Sequence, residues 1–244
     1  MISTLVTLSV EAQQVRFDQA NELLEQNQAG EALELYRSIE AGGQYSGELF
    51  YNMGIAAIHQ DSLGLAKYYF LRSSGYSVIR NDAEEALRYV NNQFSRRSAT
   101  LPALPWERFF LWLDGLFGPD GLLTFGMILF NTGIAGVIAS WFYPRFGRLL
   151  FRGGQSVIIL SLLLAATSFY LHYLDNRFDR GVLTDRQATV YEQPSTESAL
   201  ISTAYEGYVM KVDRHRSEPE ESWYYIRLEN GMYGWINREH LLTF

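Results

Sequence analysis

The sequence predicts a multidomain membrane protein: an all-α repeat solenoid, a two-helix transmembrane hairpin and a C-terminal all-β barrel. Three observations carry this. Residues in the first hundred positions recur at a period of 34. Two long runs, residues 121–144 and 153–174, contain no Asp, Glu, Lys or Arg. After about Arg186 the pattern shifts from helical to strand-like.

Residues 1–12 read as a partial signal peptide. Residues 2–10 are mostly apolar, and Val10-Glu11-Ala12 ends in the small-residue style of a cleavage site. No basic residue precedes the apolar run, so the alternative is the start of the first helix. Residues 13–97 carry the repeat. Ala20 returns as Gly54, Ala32 as Ala66 and Tyr36 as Phe70. A helix-turn-helix pair needs this pattern: two small residues let the helices approach, and the aromatic fills the gap to the next repeat. Asn27-Gln28-Ala29-Gly30 and Gln60-Asp61-Ser62 are the expected turns, and Gly42-Gly43 and Ser74-Gly75 the expected helix ends. Residues 82–94 form a third helix that caps the stack. So short a stack buries its faces poorly, and support from the membrane or a partner is expected; deletion of residues 185–244 is expected to leave complex formation with a partner largely intact.

Phe17, Asn21, Leu24, Tyr51, Ile55 and Ile58 are expected to line the concave side, with Asn52 beside them. One reading is a peptide or partner groove, with Tyr51 as anchor and Asn52 bonding a ligand backbone. The other is that Leu24, Ile55 and Ile58 are core and Asn52 bonds within the repeat.

Residues 98–120 form a linker and an interfacial amphipathic helix. Leu101-Pro102-Ala103-Leu104-Pro105 breaks the helical pattern. Trp106, Phe109, Phe110, Leu113, Leu116 and Phe117 then share one helical face, suited to the headgroup region or to packing on the repeat domain.

Each apolar run is long enough to cross a hydrocarbon core of about 30 Å as a helix. Between them Arg145, Arg148 and Arg152 form a loop, residues 145–152, with no acidic neighbour. Short basic loops stay cytoplasmic, so both ends of the chain are expected outside. Thr132, Gly136 and Ser140 on the first span, and Ser161 and Ala165 on the second, make facing small-residue stripes, with Val137 off the stripe. Asn131 lies near mid-membrane, where a hydrogen bond to the second helix or to another subunit is expected.

Residues 185–244 read as the barrel: strands at 188–191, 208–212, Trp223–Leu228 and 232–236, with a polar acidic loop at 215–222. Asn230-Gly231 predicts a hairpin with a type I′ turn. Tyr191, Trp223 and Trp235 are candidate groove residues, although Trp235 is better suited to filling the barrel core.

A formal net charge of −7 argues against nucleic acid as a partner. The absence of cysteine excludes disulfides, thiolate metal sites and a Cys nucleophile. His59, His172, His215 and His240 are isolated, and no phosphate loop, nucleophile elbow or paired-carboxylate frame is recognisable. The chain is therefore read as non-catalytic, with no cofactor and no metal.

Phe50-Tyr51-Asn52-Met53-Gly54 resembles the first-helix signature of the tetratricopeptide repeat (TPR), although Arg16 stands where that family often has a large aromatic. Trp223-Tyr224-Tyr225-Ile226-Arg227-Leu228, Asn230-Gly231 and Gly234-Trp235-Ile236 resemble the bacterial SH3-like domain (SH3b), which implies peptide or cell-wall binding on an aromatic groove. The module order resembles the BatE family of bacterial aerotolerance operons. That resemblance implies a multi-pass inner-membrane protein with both terminal domains periplasmic. It implies partners among von Willebrand factor A-domain proteins of the same operon, linked to a MoxR-type ATPase, and a role in oxidative or envelope stress. Two functions are in view: a scaffold that assembles an envelope complex, and a peptidoglycan-binding module that tethers the inner membrane to the wall.

Overall fold

The computed structural model describes residues 2–96, 98–102 and 105–244, apart from the side chains of residues 2–12, Glu107 and Leu111. Met1 of the expected signal peptide, and Arg97, Ala103 and Leu104 around the expected linker, lie outside the described residues. The chain forms two compact units. One joins Met1–Thr100 to Asp179–Phe244, and the other is Leu101–Phe178.

The first unit begins with five helices: α1 (Ile2–Glu25), α2 (Ala29–Ala41), α3 (Gly47–His59), α4 (Leu63–Ser73) and α5 (Arg80–Gln93). Residues 2–12 are helical and continuous with α1. Each helix packs on the next in sequence. The 34-residue period is visible in the backbone. Asn27 (φ 64°) and Asp61 (φ 56°), one period apart, both take the left-handed conformation that ends a helix. The amides of Gln28 and Ser62, again one period apart, close matching bonds to the carbonyls of Leu23 and Ala57, at 2.9 and 3.0 Å. Ala20, Ala32, Tyr36, Ala66 and Phe70 are all fully buried. A Cβ at Gly54 would fall 2.7 Å from Phe70 Cδ1, so the second repeat needs glycine there.

A seven-stranded sheet completes this unit. Its strands are β1 (Phe178–Leu183), β2 (Gln187–Tyr191), β3 (Leu200–Tyr205), β4 (Val209–Asp213), β5 (Trp223–Leu228), β6 (Tyr233–Asn237) and β7 (Leu241–Thr243), ordered β3-β2-β6-β5-β4-β1-β7. The pairs β1–β7, β2–β3, β2–β6, β4–β5 and β5–β6 are antiparallel. All seven strands contribute to one core of Leu183, Ala188, Val190, Ala204, Met210, Val212, Ile226, Leu228, Ile236 and Leu241. The expected acidic loop contains a short helix, α8 (Arg214–Ser217). The sheet starts seven residues before the expected boundary, because β1 follows α7 without a breaker between them.

The Asn230-Gly231 hairpin forms, but not with a type I′ turn. Only Gly231 has positive φ (88°). The Gly231 amide bonds the Leu228 carbonyl at 2.9 Å, and the Leu228 amide bonds the Met232 carbonyl at 2.8 Å. This is the three-residue loop, a type I turn followed by a left-handed glycine. Asn230 holds it by accepting from the Met232 amide on its side-chain oxygen at 3.1 Å.

The support expected from a membrane or a partner comes from this sheet. Val182 is fully buried in the core of α1–α4, with Val209 and Phe244 packed beside it. Tyr68 meets the Phe244 ring edge-on at 5.7 Å. The first turn of a helix leaves its amides unsatisfied, and Ser62 makes no side-chain cap on α4. Glu206 accepts from the Gly64 amide there, at 2.7 Å. A Cβ at Gly64 would lie 2.6 Å from the Leu183 carbonyl oxygen, so glycine permits this approach. Lys67 Nζ donates to the Gly207 carbonyl at 2.7 Å. Burial between helices and sheet lowers the Lys67 pKa and raises that of Glu229, each partly offset by the other's charge. Residues 185–244 therefore contribute contacts and a helix cap to the helical part.

The second unit is a helical hairpin, α6 (Pro105–Phe142) and α7 (Gly147–Arg177). α6 is broken at Gly118 (φ 63°, ψ 169°) next to Pro119, which ends the aromatic segment Pro105–Phe117 and starts the apolar one. Trp112–Phe142 and Gly147–Arg177 are long and apolar enough to cross a membrane. Only 17% of each one's most apolar window is buried, unlike a core helix of a globular domain. The turn between them is only residues 143–146, so Arg145 lies in the turn while Arg148 and Arg152 belong to α7, not to a loop. Charge ends an apolar run but does not end a helix, and Arg and Leu are good helix formers.

The hairpin seam is more regular than the expected stripe. Added Cβ atoms at Gly126, Gly133 and Gly147 would meet the carbonyls of Ser161, Gly154 and Ser140 at 3.3, 2.9 and 3.0 Å. Ser168 Oγ donates to the Pro119 carbonyl at 2.7 Å. Small residues thus recur every seven positions on both helices and pair across the seam, which keeps one face in contact along a left-handed winding. Gly136, Ser140, Ser161 and Ala165 lie on or beside the seam as expected. Thr132 and Asn131 do not: both are exposed and bond carbonyls of their own helix, Ile128 and Met127. Val137, expected off the seam, has Cγ2 only 2.9 Å from where a Gly154 Cβ would stand. A four-residue step cannot separate faces that a seven-residue step does.

Candidate functional site

Strands β2, β6 and β5 present one aromatic face outward. Alternation sends Ala188, Val190, Ile226, Leu228 and Ile236 into the core and leaves Tyr191, Tyr225, Tyr233 and Trp235 on the other side. Register then lines them up: Tyr191 opposes Trp235, and Trp235 opposes Tyr225. Tyr225 meets Trp235 at 5.2 Å and stacks on Tyr233 at 6.1 Å. Tyr191 meets Trp223 edge-on at 5.7 Å. Five rings thus share one face in two contacting groups joined by the Tyr191–Trp235 register, with Arg216 over Tyr225 at 4.3 Å and Arg227 over Tyr233 at 5.5 Å.

Local structure aims each ring. A bulge between Val190 and Tyr191 shifts the register at the end of β2. Gly234 lets β2 come close, since a Cβ there would lie 2.7 Å from the Tyr191 carbonyl oxygen. The Gly-Trp pair therefore works as spacer and platform, and Trp235 is half-exposed rather than core. Arg238 fixes the approach to Trp223 by donating to the carbonyls of Ser217 and Glu220, both at 2.8 Å, and of Trp223 at 3.2 Å. Buried Ser217 accepts from the Tyr225 amide at 2.8 Å.

Beside Tyr191 and Trp223 lies a shallow cleft of about 190 Å³, lined by Gln187, Thr189, Thr196, Asn237 and His240. His240 Nδ1 stands 2.5 Å from Asp185. Rings flanked by amides and hydroxyls suit a ligand with flat apolar surface and many hydrogen-bonding groups.

The sequence-derived trio Tyr191, Trp223 and Trp235 is thus brought together on one face. Tyr225, Tyr233, Arg216 and Asn237 were missed. The alternation in Trp223–Leu228 places Tyr225 beside Trp223, and that signal was available.

The helical candidates fare differently. Phe17 and Leu24 pack on the core around Tyr36, and Tyr51, Ile55 and Ile58 on the cluster around Phe70 and Val90. Tyr51 lies 5.5 Å from the Phe70 ring. Tyr36 Oη donates to Asn21 Oδ1 at 2.6 Å, and Asn52 Nδ2 donates to the same oxygen at 2.8 Å. All seven residues are half-buried, and Asn52 bonds Asn21 within the helical part.

The family model of the bacterial SH3 domain matches residues 186–241. All five rings of the aromatic face lie inside that match. Comparison with curated proteins finds no match.

Proposed function

We propose that this chain is a non-catalytic adaptor of the bacterial envelope, anchored by the α6–α7 hairpin, whose recognition surface is the aromatic face of its SH3 domain. The ligand class is peptidoglycan. The observation that carries the reading is the aromatic face of Tyr191, Trp223, Tyr225, Tyr233 and Trp235 beside a cleft of amides and hydroxyls. Pyranose rings stack on such rings, and stem peptides supply amides for the cleft. The bacterial SH3 domain is a peptidoglycan- or protein-binding module, which supports the same reading. The helical part then serves as a rigid mount. Its matching turns at Asn27 and Asp61 support its resemblance to tetratricopeptide repeats.

A scaffold role is the second reading. It is favoured by Tyr45, which is 59% exposed and stacks on Phe50 at the edge of the helical part. Such an aromatic suits a protein partner. On this reading the resemblance to the BatE family extends to partners among von Willebrand factor A-domain proteins and to a role in stress tolerance, with both terminal domains periplasmic.

The test is co-sedimentation of the full-length protein in detergent with purified peptidoglycan. Trp235→Ala is expected to weaken binding roughly tenfold, on the order of 1–2 kcal/mol for a central aromatic anchor. Tyr45→Ala is expected to leave it unchanged. Undiminished sedimentation of a folded Trp235→Ala variant would reject the aromatic face as the wall-binding surface.

A further inference from the structure

Asn131 stands at the middle of the apolar segment of α6, between the break at Gly118 and the end at Phe142. The sequence left it two partners, the second helix or another subunit, and the seam removes the first. Gly133 faces Gly154, and Asn131, two residues away, lies about 160° round the helix from it. Its Nδ2 donates to the Met127 carbonyl at 2.8 Å, within its own helix. No donor among the described residues reaches its Oδ1.

The surrounding face has a pattern of its own. Thr124, Ile128, Asn131, Ala135 and Ile138 are all exposed and alternate in steps of four and three. This is a second heptad stripe, on the side away from α7, and a single Asn on such a stripe is a device that sets partner and register. Hydrocarbon offers an amide oxygen no donor, so a donor from another chain stabilises it.

We infer that two copies of this chain associate in the membrane through this face of α6, with Asn131 of each copy bonded to Asn131 of the other. A second copy inserted in the same sense carries the same amide at the same depth. Each amide retains one free N–H and one free carbonyl oxygen, so the pair satisfies itself reciprocally about a two-fold axis. Ala135 next along the stripe lets the helices approach. The inference rests on reading α6 and α7 as membrane-spanning.

The experiment uses full-length chains carrying donor and acceptor dyes in phosphatidylcholine vesicles, with energy transfer as the readout. Wild type is expected to transfer, Asn131→Leu to lower the association constant on the order of tenfold, and Asn131→Gln to retain most of it. Leucine suits both a helix and lipid, and circular dichroism checks that the variant keeps its helices. Equal transfer in wild type and Asn131→Leu overturns the inference. So does a monomeric wild type, including one in which Asn131→Leu releases a different co-purifying protein. Alkaline extraction separates the two readings. A wild-type chain that leaves the membrane refutes the membrane reading, and one that stays embedded but monomeric refutes only the pairing.

Discussion

Gly207 tests whether helices and sheet of the first unit are locked together. Its φ is +77°, and a Cβ there would overlap the Phe94 ring, with Cε1 only 2.6 Å away. Alanine therefore meets two penalties. The left-handed backbone costs about 1–2 kcal/mol, and pressing a methyl into a packed ring costs about 1–3 kcal/mol. Gly43 separates them, because its φ is +79° but nothing lies within 4 Å of its Cβ position. Gly43→Ala should lose only the backbone part, about 1–2 kcal/mol, while Gly207→Ala loses roughly 2–5 kcal/mol in all. The loss of unfolded-state freedom is common to both and cancels. The assay is urea unfolding of the full chain in detergent, followed by tryptophan fluorescence and far-ultraviolet circular dichroism. Phe94→Leu should recover part of the Gly207→Ala loss and none of the Gly43→Ala loss. Equal destabilisation by the two glycine substitutions, with no rescue, would refute the lock.

Gly154→Leu should separate the α6–α7 seam and lower the detergent melting temperature, because even a Cβ there lies 2.7 Å from the Gly133 carbonyl; Thr132→Leu, at an exposed position off both the seam and the Asn131 stripe, serves as the control, and matching melting temperatures would discredit the seam. Burial pushes the Tyr36 hydroxyl up to about 12, against a smaller opposing effect of Asn52. Unfolded tyrosine ionises near about 10, so this stabilisation is complete below about pH 10 and is lost as pH rises toward 12. Tyr36→Phe should flatten the fall in unfolding free energy over that window, and an unaltered slope in urea melts at stepped pH would count against it.

The repeat was legible because its signals are local. Ala20, Tyr36, Gly54 and Phe70 each act through neighbours within one or two helices. The aromatic face was half legible: strand alternation puts Trp223 and Tyr225 on one side, but only the cross-strand register brings Tyr191 opposite Trp235. What escaped was non-local. Val182 sits in the helical core and Phe244 packs against it, yet nothing in Gly181-Val182-Leu183 names its partner. The seam was misread because Thr132 and Gly136 are both small, and composition alone does not say which hydroxyls turn back to their own helix.

The bond from the Gly64 amide to Glu206 spans 142 residues of chain. The hairpin lies between its two ends. A ribosome adding roughly 5–20 residues per second leaves α4 without its cap, and the slot for Val182 and Phe244 open, for roughly ten to thirty seconds. During that interval the helical part is a nascent chain with a hydrophobic vacancy while the two apolar helices are still being made. Such a chain invites guarding by a chaperone until Val182 and Phe244 arrive to pack on the helical core. Translation speed and the distance in sequence between α4 and its cap are therefore part of how this fold is reached.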